Sequence, residues 1–230
     1  MTYLRFPKAR QDLFAEMGPA ECWLLGLVWA DGCLNGRPRQ QRIYLHSVDE
    51  ELVAQAADIA ARDYSIRPDQ RPNRKPTFRL AIGGRAVIER AVALGLTPAK
   101  SLTAEMPTVP HGDAFLRGYF DGDGTVGLYR NPSLRSGALP RLISGFIGSL
   151  MMIDQIQELL FDRAGIQRKR PVANKSVWIV HYNHADSLRL ADFMYADGGP
   201  HLARKKRIFD EGAAQPFTPR RPTTGDSDGL

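Results

Sequence analysis

Two aspartates stand out by what precedes them. Asp31 lies in LLGLVWADG (24–32) and Asp123 in LRGYFDGDG (116–124), an offset of 92 residues, from 31 to 123. In both stretches small residues recur four apart, Gly26 with Ala30 and Gly118 with Gly122. Residues at i and i+4 share one helical face, and small ones there let two backbones approach closely. Two such helices packed about a pseudo-twofold axis bring their ends together, and Asp31 and Asp123 with them. Carboxylates brought close repel unless cations sit between them. Hard oxygen ligands with room left for water and phosphate oxygens suit Mg2+, and that constellation suits metal-assisted phosphodiester hydrolysis. A single Asp-Gly after a helix is an ordinary C-cap turn; the matched pair is what lifts these two above it. DGDGTV fails as an EF-hand loop, because the twelfth position from Asp121 is Pro132 and not a glutamate.

The elements that must hold these aspartates repeat as well. Residues 20–34 read as an apolar helix ending in Asp-Gly, and residues 113–128 share that layout. RIYLHSVDEELVAQAADIA (42–60) and LISGFIGSLMMIDQIQELL (142–160) each read as an alternating strand running into an amphipathic helix, with Ser47 and Ser149 as N-caps. TFRLAIGGRAVIERAVALGL (77–96) is a strand, a Gly-Gly turn and a helix, and VWIVHYNHADSLRLADFMY (177–195) repeats it with Asn183 and His184 at the turn. A lysine-bearing stretch follows each, LTPAKSL around Lys100 and HLARKKRIF around Lys205 and Lys206. The expected fold class is therefore α+β, two pseudo-symmetric αββαββα repeats over 20–102 and 113–212. Residues 103–112, with two prolines, form an extended linker. Residues 1–19 are an accessory segment of no evident role, and 213–230 have the composition of a disordered tail. The first hairpins differ: Gly32 to Ser47 spans 15 residues and Gly124 to Ser149 spans 25, the excess falling in RNPSLRSGALPR.

Composition narrows the function classes. A 43% hydrophobic content supports a core and excludes a wholly disordered chain. No run of 18 apolar residues is present, so no membrane span is expected. Only Cys22 and Cys33 occur, which excludes a disulfide scaffold or a four-cysteine zinc site and fits a reducing compartment. With no apolar signal region at the N-terminus, a cytoplasmic location is expected, in a bacterial or phage-host cytosol or an organelle. Thirty-one basic against 25 acidic residues leave +6, unevenly spread. Seven basic residues lie between Arg67 and Arg90, and five between Arg163 and Lys175 without an acid. Their recurrence where strands are expected makes a basic surface able to neutralise phosphates.

Together LLGLVWADG and LRGYFDGDG resemble the paired signature of the LAGLIDADG homing endonucleases, in the single-chain form with two motifs, over roughly residues 20–210. The resemblance implies that the motif helices form the interface between the halves. Each half then supplies a four-stranded antiparallel sheet, and the two sheets form a saddle over the major groove of double-stranded DNA. It implies that Asp31 and Asp123 bind metal, one per active site, with the backbone carbonyls of Ala30 and Gly122 as further ligands. Mg2+ is the implied cofactor, with Mn2+ able to substitute and Ca2+ expected to bind without supporting cleavage. A basic residue beside each scissile phosphate falls on Lys100 in the first half and on either Lys205 or Lys206 in the second. Trp29 departs from the motif at its sixth position, where Asp121 stands in the second half.

The implied activity is a site-specific, metal-dependent double-strand cut in a long DNA target, leaving short 3′ overhangs, by a monomer. The alternative is a non-cleaving nucleic-acid-binding relative, an RNA maturase for intron splicing or a DNA-binding regulator; keeping both aspartates favours the nuclease. Strand alternation then allocates the DNA face. Ile43 and Leu45 point inward, leaving Arg42, Tyr44 and His46 outward. Phe78, Leu80 and Ile82 point inward, leaving Thr77, Arg79 and Ala81 outward. Trp178 and Val180 point inward, leaving Val177, Ile179 and His181 outward. At hairpin tips Arg37, Arg39, Arg74, Lys75, Arg135, Arg168 and Lys175 are expected to reach phosphates or guanines, and Arg130, Arg141 and Arg170 to join the DNA contacts. His181 and His184 fall on different faces and do not form a zinc pair.

Overall fold

The computed structural model describes residues 10–37, 40–67, 76–98, 103–130 and 140–215 of the 230-residue chain. Arg39, Arg74, Lys75, Lys100 and Arg135 lie outside the described residues, as does the tail beyond Gln215. The first half comprises α1 (Pro19–Asp31), β1 (Cys33–Asn35), β2 (Arg42–Ser47), α2 (Glu50–Ala60), β3 (Tyr64–Arg67), β4 (Thr77–Gly83) and α3 (Arg85–Ala93). The second comprises α4 (Gly112–Asp123), β5 (Thr125–Tyr129), β6 (Arg141–Gly148), α5 (Leu150–Ala164), β7 (Val172–Asn174), β8 (Val177–Tyr182) and α6 (His184–Tyr195). A further helix, α7 (Ala203–Ala213), extends the second half beyond the expected αββαββα order. The sheets are antiparallel throughout and share one topology, β1-β2-β4-β3 and β5-β6-β8-β7.

The two motif helices, α1 and α4, meet along their small residues. A Cβ on Gly26 would lie 2.0 Å from the Phe115 carbonyl oxygen, and one on Gly118 would lie 1.9 Å from that of Trp23. The contact is reciprocal, since each helix offers its glycine to the carbonyl three residues before the partner's glycine. Only backbones in direct contact leave no room for a methyl group there. Cys22 to Trp29 are buried without interruption, so α1 is enclosed on all sides and needs no polar face. Sheet residues complete the core as alternation requires: Ile43, Leu45, Phe78, Leu80 and Ile82 in one half, Leu142, Phe146, Val180 and Tyr182 in the other. Trp178 is half-buried against that core.

Three local expectations are corrected. Ser47 does not cap α2: it ends β2, its hydroxyl accepts from the Asp49 amide at 3.1 Å, and Asp49 holds the N-cap position. Ser149 does cap α5, accepting from the Met152 amide at 3.0 Å. Arg168 is not at a hairpin tip; β7 begins only at Val172, and Arg168 lies in the α5–β7 connection, 3.6 Å from Glu158 of α5. Residues 10–17 do have a role, because Leu13 and Phe14 enter the core and Arg10 pairs with Glu21 of α1 at 2.5 Å.

Candidate active site and nucleic-acid interface

Helices α1 and α4 end at the glycine that follows each aspartate. Gly32 and Gly124 are both extended, with φ −75° and −76°, and not left-handed as in an ordinary glycine C-cap. Glycine is required there by space: a Cβ would lie 2.4 Å from the Val28 carbonyl oxygen at Gly32 and 2.3 Å from the Phe120 ring at Gly124. Each chain thus passes directly from helix into the first strand of its sheet, which fixes the aspartate at the junction. The junctions meet. A Cβ on Gly122 would sit 2.4 Å from that of Ala30 and 3.1 Å from Asp31 Oδ2, so the Asp31 carboxylate rests against the turn carrying Asp123. Asp31 is exposed and Asp123 half-buried. Burial, and then the fields of Asp123 and Asp31, push the Tyr119 phenol well above its usual range, while its hydroxyl donates to the Ile147 carbonyl at 2.8 Å. Among the described residues no group of three or more His, Cys, Asp or Glu side chains could hold a metal. The oxygens that could serve a metal at the junction are the two carboxylates and main-chain carbonyls, hard donors of the kind Mg2+ accepts.

Adjacent lysines in α7 take different places. Lys205 is buried, and its ammonium donates to the carbonyls of Phe120 (2.6 Å), Asp121 (2.9 Å), Gly122 (3.3 Å) and Gly124 (2.6 Å). It caps the C-terminal end of α4, where the helix dipole favours a cation. Burial lowers its pKa to about 8 against the opposing pull of Asp121, Asp31 and Asp123. Lys206 lies on another face, 2.8 Å from Asp210. Asp121 is buried, and Oδ2 accepts from the Trp23 indole at 2.8 Å and the Leu202 amide at 3.1 Å. Its carboxyl is raised by burial to about 6. The acidic sixth position of the motif is thus a buried tie between α1, α4 and the approach to α7. Its first-half counterpart, Trp29, does comparable work by donating to the Glu105 carbonyl at 2.8 Å.

The outer sheet faces carry the expected basic and polar residues in part. Arg42 and His46 are exposed, Tyr44 and Arg79 half-buried, and the Arg79 guanidinium stacks 4.0 Å from the Tyr44 ring centre. Arg37, Arg130, Arg141, Arg170, Lys175 and His181 are exposed, Lys175 at the β7–β8 tip with φ 55°. His184 is instead buried, and its Nδ1 accepts from the Leu142 amide at 3.2 Å. Three residues that brace the site escaped sequence reasoning. Nothing in the sequence marks Tyr119 or Trp23, whose polar atoms find partners only in the fold. Arg117, inside the second motif, is fully buried and bonded to Asp197, to the Met194 carbonyl and to the Pro200 carbonyl at 2.8 Å. Arg117 stands four residues from both Asp113 and Asp121 in α4, and a cation set between two acids on one helix face was the available signal.

Residues 112–192 match the family model described as a LAGLIDADG-like domain. That segment, which carries the second motif, is similar to a LAGLIDADG-like domain. Most of the chain, both halves included, superposes on solved homing endonuclease and meganuclease structures at low identity. One is I-WcaI bound to its DNA recognition sequence, with a TM-score of 0.60 and 10% identity over 88% of this chain and 93% of that one. Another is the meganuclease I-AabMI bound to uncleaved DNA, with a TM-score of 0.56 and 12% identity over 86% and 90%. A third is I-GzeII in complex with its DNA target, with a TM-score of 0.54 and 12% identity over 86% and 89%. At such identity the likeness is one of fold. No curated protein sequence matches. The resemblance carried by the two motifs is thereby shown, and with it the LAGLIDADG fold of two sheets joined through paired motif helices. Among the described residues no helix is long and apolar enough to cross a membrane.

Proposed function

We propose that the chain is a site-specific DNA endonuclease that cuts both strands of a long duplex target, one phosphodiester per strand. The observation that supports this most is the meeting of the two Asp-Gly junctions, each at the root of a sheet with cations on its outer face. Asp31 and Asp123 would hold Mg2+ or Mn2+, with the Ala30 and Gly122 carbonyls as added oxygen ligands. A metal bound there would activate water and offset charge on the leaving oxygen. Lys205 acts as a positioning residue: it fixes the carbonyls around Gly122 and adds positive charge where phosphate arrives. Lys206, paired on another face, is not required. One chain supplies both aspartates, so a monomer suffices, and paired sites on opposite strands give short 3′ overhangs. Outer residues such as Arg42, His46, Arg141 and Lys175 would meet phosphates and base edges in the major groove.

The test is cleavage of a site selected from a random duplex library. Wild type should cut in Mg2+ and bind without cutting in Ca2+. Asp31→Asn or Asp123→Asn should lower double-strand cleavage at least a hundredfold, while DNA affinity in Ca2+ changes less than about threefold. Undiminished cutting by the double variant would overturn the assignment of the aspartates.

A further inference from the structure

The shared topology lets the two outer sheet faces be compared position by position. Cys33 pairs with Tyr44, and its counterpart Thr125 pairs with Gly145. Arg42 therefore answers to Ile143, and His46 to Ile147. Tyr44 pairs onward with Ala81 and Gly145 with His181, so Arg79 answers to Ile179 and Thr77 to Val177. Arg79 pairs with Ser65 and Ile179 with Val172, so Ser65 answers to Val172, whereas Ala81 answers to exposed His181, a polar residue on the second sheet. At five of these positions, Arg42, His46, Ser65, Thr77 and Arg79, a polar or cationic residue in the first sheet becomes a β-branched aliphatic one in the second. Ile147, Ile179 and Val172 form one row across β6, β8 and β7.

This strip is open to solvent. Val172 is 65% exposed and Tyr129 55%, and Ile143, Ile147, Val177 and Ile179 are half-exposed. Tyr129 folds back over Gly127, where a Cβ would lie 2.7 Å from its ring. Exposed Arg130, Arg141, Arg170 and Lys175 stand around the strip. A purely apolar partner would leave those cations without counter-charges. A polyanion that carries apolar groups on its inner edge matches both.

We infer, resting on the DNA reading above, that the second sheet recognises its half-site through the 5-methyl groups of thymines. That methyl is the apolar handle a base pair presents in the major groove, and aliphatic side chains are its natural contacts. The first sheet, with Arg42, His46 and Arg79, reads hydrogen-bonding edges instead. The two half-sites are then read by different chemistries despite the common fold. Thymine should be enriched opposite β6 to β8, and the other half should show no such bias.

Deoxyuridine tests this, because it lacks only the methyl group. Affinity in Ca2+ is measured on the selected site with every thymine of one half replaced by deoxyuridine, one half at a time. Each methyl lost from a buried contact should weaken binding about fourfold, so replacement opposite the second sheet should weaken it by roughly ten- to fiftyfold. Replacement opposite the first should change it less than twofold. Ile179→Ala should weaken the thymine site and narrow the gap between thymine and deoxyuridine. Arg79→Ala should weaken binding and leave the gap intact. Equal tolerance of deoxyuridine in both halves overturns the inference while leaving the nuclease reading standing. A library that yields no enriched site overturns the DNA reading itself, and this inference with it.

Discussion

The side chains that hold the site are mostly buried ones bonded to backbone, and Arg117 shows what such a group demands. Its guanidinium is wholly enclosed, and Asp197 is the acid that answers it, 3.0 Å from Nη2. Burial works against the Asp197 carboxylate, but the hydrogen bonds from Arg117 and the Gly199 amide outweigh it and hold the pKa below the usual range. The sign follows from that direction. A depressed carboxyl contributes stability above its unfolded pKa and loses it as pH falls through the folded value. Asp197→Asn should therefore destabilise the protein at pH 7, leaving a buried cation without its anion. Removing one partner of a buried pair costs about 3–5 kcal/mol, and the partial exposure of Asp197 reduces this to about 2–3 kcal/mol. The gap between wild type and variant should narrow as pH falls below about 4, the carboxyl's pKa in the unfolded chain, and close only once pH passes the lower folded pKa. Urea unfolding from pH 3 to pH 7 checks it, and a gap that widens toward acid would contradict the assignment.

At the scale of elements the α1–α4 contact decides the architecture. Gly118→Ala would drive a methyl to 1.9 Å from the Trp23 carbonyl oxygen and 2.9 Å from the Leu27 amide, backbone atoms that cannot turn aside. A loss of about 3 kcal/mol or more is expected, the upper end for overpacking. Gly165→Ala is the control: it caps α5 at φ 64° with nothing within 4 Å of a new Cβ. Only left-handed strain applies there, about 1 kcal/mol. Equal urea midpoints for the two variants would remove the argument from close approach. These glycines were legible in the sequence because four-residue spacing on a helix is a local property, repeated 92 residues on. The strand faces were legible for the same reason, period two being local. Other features were not. Ser47 and Asp49 are both good N-cap types, and only the length of β2 decides between them. Lys205 and Lys206 are neighbours in sequence but point about 100° apart on a helix; which one reaches α4 is set by packing alone. Helix α7 has no first-half counterpart among the described residues, so the repeat that revealed the fold gave no signal for it.

Across the whole molecule the halves are bound by more than the motif helices, and the bonds are reciprocal. After α3 the chain crosses to the second half. The Ala104 carbonyl accepts from Ser149 at 2.5 Å, and the Met106 amide donates to Gln155 Oε1 at 2.6 Å. After α6 it crosses back: Gln55 of α2 exchanges two hydrogen bonds with the His201 backbone, at 3.0 and 3.1 Å, and Arg204 grips Asp49 at 2.8 Å. Asp49 and Ser149 occupy matching N-caps, and Gln55 and Gln155 stand matching distances into their helices. Each half therefore carries a strap that ties down the central helix of the other. With the core shared through α1 and α4 as well, neither half has an interior that survives loss of its partner. Unfolding should be one cooperative transition, with tryptophan fluorescence, reporting the seam at Trp23 and Trp29 and the sheet at Trp178, coinciding with far-ultraviolet circular dichroism in urea. Gln55→Ala supplies the sharper measurement. Its side chain belongs to the first half, yet it should lower the hydrogen-exchange free energy of the slowest amides in β8 as much as in β4, by about 1–2 kcal/mol. A loss confined to β4 would mean that the halves open separately and that the straps do not couple them.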